Sequence, residues 1–313
     1  MLAAVITEGR LEIAERPEPA PGPGEVRVRV AAAGLNAADL LQLAGHYPAP
    51  AGWPPDIPGL ELAGTVDATG PGAEGWRGRR VCAIVGGGGQ ATAALVPAAH
   101  LLAVPEGADL RAAGAFAEAF VTAHDALVSQ AGLRRGERLV VTGAAGGVGT
   151  AAVQIGAMLG AHPIAVTRSR AHHDALRALG AAETILADEL ADIAPVDVVL
   201  ELVGAATAAT SLGRLGLHGR LVVIGVGGGS RIEVDLLAVM QKRLHVTGST
   251  LRSRSHDEKA EAVRAAATDL GGPWSRGELQ VPVADGFPLA EAARAYEAFC
   301  QPGRFGHIVV EMP

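Results

Sequence analysis

Leu139-Val140-Val141-Thr142-Gly143-Ala144-Ala145-Gly146-Gly147-Val148-Gly149 runs directly into Thr150-Ala151-Ala152-Val153-Gln154-Ile155-Gly156-Ala157-Met158-Leu159. An apolar strand, a glycine-rich turn and a helix follow one another without a break, and each part has a physical task. Gly143 permits the tight turn, Gly146 and Gly147, with Val148 beside them, let the backbone approach a pyrophosphate, and Gly149 allows the helix to pack closely on the strand. The helix N-terminus then presents N–H groups and a positive dipole end to the anion. Glycine-rich turns also occur without a ligand, so the flanking strand and helix are what give this one its meaning.

The next predicted strand, Pro163 to Val166, ends where a ribose-reading residue belongs, and Thr167-Arg168-Ser169-Arg170 follows it. No acidic residue stands there. An Asp or Glu would bond a bare ribose 2′-hydroxyl and repel a 2′-phosphate, whereas Arg168, Arg170 and the Ser169 hydroxyl suit that phosphate. NADPH is therefore expected over NADH, the alternative being that the arginines belong to a solvated loop.

Further continuous apolar runs, Val196 to Leu200, Leu221 to Ile224 and Leu244 to Thr247, read as strands buried on both faces. Helical stretches such as Ala117 to Gln130 lie among them, the pattern of a doubly wound parallel sheet. Leu244 to Thr247 is the candidate edge, and an exposed edge strand invites pairing with a second copy across a two-fold axis. Before about Leu110 the texture differs. Glu25 to Val30 alternates polar and apolar residues with period two, as in a half-exposed antiparallel strand, and Pro19 to Gly24 reads as a plain turn. A helix at Ala290 to Phe299 and a strand at His307 to Glu311 close the chain.

The totals set bounds. A chain of 313 residues predicts two domains, and 49% apolar residues with only 3% aromatic ones require a core of Ala, Val, Leu and Ile. A net charge of -7 with scattered Lys and Arg argues against nucleic acid as the main partner. Two cysteines, Cys82 and Cys300, are too few for a disulfide framework and fit a reducing, cytoplasmic setting. Neither a signal peptide nor an apolar run of membrane-spanning length is read.

Several segments in order carry a family resemblance: Gly34 to Leu41, Gly45-His46-Tyr47-Pro48, Ile57 to Gly64, Gly86 to Gln90, Ala144 to Gln154 and Ser249 to Arg254. Over nearly its whole length the sequence resembles the zinc-free quinone oxidoreductases of the medium-chain dehydrogenase/reductase superfamily, and among them the p53-inducible type. The resemblance implies a GroES-like β-barrel domain joined to a Rossmann domain, with NADPH and substrate in the cleft between them. It implies a substrate and catalytic domain at 1–115, an NADPH-binding domain at 116–250, a return to the first domain at 251–313, and a homodimer. It places Asn36 near the nicotinamide ribose and Tyr47 at the substrate mouth, as the candidate catalytic pair. Val203, Gly225 and Val226 fall on the nicotinamide side, Leu251 and Arg252 over the carboxamide, and Gly306 and His307 near the phosphates. Where the family commonly has a Tyr near the adenosine this chain has Ala187, and where it has a Lys after the Ser it has His172, whose hold on a 2′-phosphate would depend on pH.

Zinc-dependent relatives carry Cys and His ligands where this chain has Asn36-Ala37-Ala38-Asp39 and Gly59-Leu60-Glu61. Carboxylates alone do not make the N/S tetrahedron zinc prefers, so no metal is expected, and Asp39 and Glu61 read as structural. His100, His124, His162, His173, His218, His245 and His256 form no spaced cluster. The expected chemistry is transfer from nicotinamide C4 to a quinone, whose carbonyls need no Lewis acid. Tyr47 would orient the substrate or simply pack. Reduction of an enone or enal is the alternative reaction, and a non-catalytic dinucleotide-binding sensor or structural protein is the alternative of another class.

Overall fold

The computed structural model describes all residues from Met1 to Pro313. They form two compact units, one of Met1–Val121 with Leu251–Pro313, the other of Thr122–Thr250.

The second unit is built on six strands in the order Glu183–Leu186, His162–Thr167, Arg138–Val141, Val196–Glu201, Leu215–Val223 and His245–Gly248. Every neighbouring pair is parallel. The first strand in sequence therefore lies in the middle, and the chain winds outward from it in both directions. Open α/β sheets bind ligands beyond the strand ends at such a reversal. Val140, Ile164, Val166, Val199 and Leu221 pack into one buried cluster, which is why these strands read as unbroken apolar runs.

Three elements depart from the sequence reading. The strand expected at Leu221 to Ile224 begins at Leu215, because Gly216, His218 and Gly219 interrupt its apolar pattern and His218 sits at φ 60°. The expected helix Ala117 to Gln130 is α-helical only to His124 and continues as a π-helix from Asp125 to Gln130. Glu183–Leu186 has no counterpart among the expected strands: four residues, mostly half-buried at a sheet edge, leave little periodicity to read.

In the first unit, Glu25–Leu35 is the hub. It pairs antiparallel with Glu61–Thr69, Ala93–Pro97 and His307–Glu311, and two register shifts along its pairing with Glu61–Thr69 let it bend between partners. Val26, Val28 and Val30 point inward together with Leu62, Val81 and Val96, so the period-two alternation marks the barrel interior. The end of the chain thus completes the sheet begun near its start. The first unit is thus a GroES-like β-barrel fold and the second a Rossmann-type parallel sheet. No helix is long and apolar enough to cross a membrane.

Candidate functional site

In the second unit the glycine-rich turn joins the Arg138–Val141 strand to the helix Gly147–Met158. Gly143 adopts φ 60°, and its carbonyl accepts from Gly146 N–H at 3.0 Å. A Cβ on Gly149 would lie 2.5 Å from the Gly143 oxygen and 2.6 Å from Ala144 Cα, so that position requires glycine on steric grounds alone. Gly146 is the N-cap and brings no capping side chain, which leaves the helix end open toward an anion. Such a cradle fits the pyrophosphate of a dinucleotide.

Sequence reading missed the residue that organises this cradle. Glu201, at the end of the central strand Val196–Glu201, is fully buried. Its Oε1 accepts from Thr142 Oγ1 at 2.7 Å, Val203 N at 2.9 Å, Gly204 N at 2.9 Å and Thr207 Oγ1 at 2.8 Å, and its Oε2 accepts from Ser211 Oγ at 3.3 Å. Its backbone carbonyl accepts from Ile224 and Gly225. One residue therefore gathers the base of the phosphate loop, the turn bearing Val203 and the turn bearing Gly225 and Val226. A buried carboxylate is tolerable only when so fully hydrogen-bonded. Gly225 is packed so closely that a Cβ would lie 2.2 Å from the Leu202 oxygen, while Val226 is exposed.

The basic stretch after the strand His162–Thr167 divides by environment. Thr167 is buried, with its hydroxyl donating to Ser169 O at 2.9 Å and meeting His173 Nε2 at 3.0 Å, so it shapes the turn from within. Ser169 caps the short 3-10 turn Arg170–His172 by accepting from Ala171 N. Arg170 is ion-paired with Glu189, and the Glu189 carboxylate lies below its ordinary range because it accepts from Leu186 N–H and from Arg170. Arg168 is exposed and forms no ion pair or hydrogen bond, which leaves it as the uncompensated cation of the stretch. His172 is half-buried between that turn and the helix His173–Ala178.

In the first unit, Asn36 and Tyr47 belong to a polar cluster on the barrel. Asn36 Nδ2 donates to Glu61 Oε1 at 2.9 Å, and Glu61 Oε2 accepts from Glu118 N at 2.9 Å. Asp39, in the helix Ala37–Leu43, accepts from Asn36 N at 2.8 Å and Gly59 N at 2.9 Å. Burial pushes Asp39 up to about 6, Glu118 to about 7 and Glu61 to about 8. Arg252 is buried and makes four hydrogen bonds: Nε and Nη2 reach Gly86 O, Nη1 reaches Tyr47 O at 2.7 Å, and Nη2 also reaches Gln42 Oε1. Its guanidinium lies 4.9 Å from the Tyr47 ring centre. It thus fastens the Tyr47 turn to the Gly86–Gly89 loop. Leu251 beside it is buried.

Gly306 and His307 lie where the last strand begins. Gly306 has φ 80°, and a Cβ there would lie 2.1 Å from Pro282 O. Burial, with Arg304 nearby, lowers His307 to about 3, so this imidazole is neutral and brings no charge to a phosphate. No group of three or more His, Cys, Asp or Glu side chains is placed to hold a metal ion.

Comparison with known proteins adds an independent line. An alcohol dehydrogenase GroES-like domain model matches residues 22–131 and a zinc-binding dehydrogenase model matches residues 147–268. A quinone oxidoreductase of Pseudomonas aeruginosa is 35% identical over 277 residues, which is 85% of this chain and 84% of that protein. The "Probable acrylyl-CoA reductase AcuI" of Escherichia coli is 29% identical over 230 residues, 69% of this chain and 71% of its own. The quinone oxidoreductase from Thermus thermophilus, whose crystal structures include a complex with NADPH, superimposes with a TM-score of 0.87 at 36% identity, covering 99% of this chain and 100% of that one.

Proposed function

Since the chain belongs to the quinone oxidoreductase family of the medium-chain dehydrogenases/reductases and is an oxidoreductase, we propose that it reduces quinones with NADPH and without a resident metal. The observation that carries this reading is the glycine cradle at the sheet's switch point, bound through Glu201 to the two turns beside it. Gly143, Gly146 and Gly149 would hold the pyrophosphate, Arg168 and Ser169 the 2′-phosphate, and Val203, Gly225 and Val226 the nicotinamide end. Bound NADPH supplies the hydride. Tyr47, seated by Arg252, and Asn36, whose amide is oriented by Glu61, handle the acceptor in the first unit. Because Asn36 Nδ2 is engaged by Glu61, its Oδ1 is the atom left to accept from a hydroxyl. Metal-free operation is supported by Asp39 and Glu61, whose carboxylate oxygens are occupied by N–H donors.

The test is loss of reduced-nicotinamide absorbance when the purified protein meets NADPH and a panel of quinones. We expect turnover with NADPH well above that with NADH, and no oxidation with any quinone would reject the reading. A second reaction, reduction of an activated alkene, is favoured by the likeness to the Escherichia coli protein named as an acrylyl-CoA reductase. Paired rates on a quinone and a matched enone separate the two. The parallel sheet also ends in an unpaired edge, His245–Gly248, and the helix preceding it in sequence exposes Leu236 and Met240 to 75% and 68%. We take this edge to be the contact of a homodimer.

A further inference from the structure

Two ionisable side chains in the first unit stand without a hydrogen bond or ion pair, and their polar atoms are not among those sealed from water. Glu118, in the first turn of the helix Ala117–His124, is half-buried, and its carboxylate accepts no hydrogen bond and joins no ion pair. Lys259, on the helix His256–Ser275, is 2% exposed and likewise has no carboxylate within ion-pair distance; its ammonium lies 5.8 Å from the Trp53 ring centre. An ionisable group that reaches water from a partly buried cluster of charges is placed to exchange protons with a ligand.

The two groups act on each other through space, short of contact. Lys259 and Arg252 both favour the ionised form of Glu118, and Asp39 opposes it. Glu118 in turn acts on Tyr47 and on Glu61. The charged and titratable groups that act on Glu118 or respond to it are Asp39 from the helix Ala37–Leu43, Glu61 from the strand Glu61–Thr69, Tyr47 from the turn after that helix, and Arg252 and Lys259 from the returning segment. The Glu118 carboxyl is the one acid of the three that is neither fully buried nor hydrogen-bonded, so it can exchange protons with both solvent and a ligand.

We propose that Glu118 is the proton source of the reaction, donating to the reduced quinone oxygen from within a cluster that also holds Asp39, Arg252 and Lys259. This rests on the quinone-reductase reading above. Hydride, with its electron pair, passes from the dihydronicotinamide to the quinone; the cofactor is oxidised to NADP⁺ and the quinone becomes a hydroquinone monoanion. An O–H bond then forms on that oxygen as the Glu118 O–H bond breaks, leaving a carboxylate that solvent reprotonates. A donor that titrates near neutral pH is well matched to this task, and burial places Glu118 at about 7.

Glu118→Gln should lower kcat for quinone reduction about a hundredfold while leaving the NADPH dissociation constant unchanged. In the wild type kcat/KM should fall above about pH 7, and that limb should vanish in the variant. Lys259→Met removes a charge that favours the carboxylate, so it should move the limb to higher pH; a merely structural lysine would not. A rate within about threefold of wild type in Glu118→Gln, or a limb that persists there or stays put in Lys259→Met, overturns the proposal. Infrared pH titration of the protein alone keeps the two readings apart. A protonated-carboxyl band lost in Glu118→Gln, with no quinone turnover in the wild type, would sink the quinone reading and the donor role with it while leaving the titrating Glu118 in place. A band unchanged in Glu118→Gln would sink the proposal whatever the turnover.

Discussion

Arg168 and Arg170 are two residues apart, yet their electrostatic situations are opposite. Arg170 is held by Glu189 and its charge is largely compensated, whereas Arg168 projects without a partner. A charge-assisted hydrogen bond to a 2′-phosphate is worth about 1.5–3 kcal/mol, roughly a ten- to hundredfold change in affinity. Arg168→Ala should therefore raise the NADPH dissociation constant by about that factor and leave NADH binding unchanged, while Arg170→Ala should have the smaller effect. Calorimetric titration of both variants with both dinucleotides checks this. Glu201→Ala removes the acceptor shared by Val203 N–H, Gly204 N–H and the Thr142 and Thr207 hydroxyls. An unsatisfied buried donor costs about 1–3 kcal/mol, so this variant should melt several degrees lower and bind NADPH more weakly.

Among the elements, the strand-turn-helix unit at 138–158 depends on a single close approach. An added methyl at Gly149 meets backbone atoms of Gly143 and Ala144, which cannot swing aside as a flexible side chain would. Gly149→Ala should cost about 1–3 kcal/mol of stability and displace the loop, so that NADPH titration gives a much weaker binding isotherm. Gly146→Ala is the informative comparison, because its Cβ would meet only the Gly143 oxygen at 3.4 Å, an ordinary contact; it should fold normally. The π-helix Asp125–Gln130 shows the limit of pattern reading, since one extra residue per turn barely disturbs an apolar stripe.

For the whole molecule, the buried acids make stability depend on pH in a defined direction. Glu61 and Glu118 rise from 4.5 to about 8 and about 7, so the folded chain keeps protons that the unfolded chain has already released. That difference opposes folding increasingly as pH rises from 4.5 to 8. His307, lowered from 6.5 to about 3, acts oppositely: stability gained from it grows between those values and is complete above the upper one. Between pH 6.5 and 8 the acids therefore dominate, and the melting temperature should fall with rising pH. Glu61→Gln should flatten that slope, as scanning calorimetry would register. At the far edge of the parallel sheet, Val246 is 53% exposed on a strand with one unpaired side. Val246→Lys should convert a sedimenting dimer to a single 31.6 kDa chain; a wild-type protein already monomeric would reject the edge-pairing reading.

Glycine spacing, unbroken apolar runs, period-two alternation and a basic stretch after a strand are relations among near neighbours along the chain. The phosphate loop, five of the six strands of the parallel sheet and the alternating barrel strand were legible from them, because local sterics and burial act over a few residues. Glu201 was not legible. Its bond to Thr142 spans 59 residues, and an isolated acid after an apolar run looks like any strand end. The bond from Arg252 to the Tyr47 carbonyl spans 205 residues and was no more legible. That Glu118 accepts no hydrogen bond and Lys259 meets no carboxylate has no sequence signature at all. Charge compensation depends on what folding brings within a few ångströms, and that neighbourhood is assembled from helices and strands far apart in the chain.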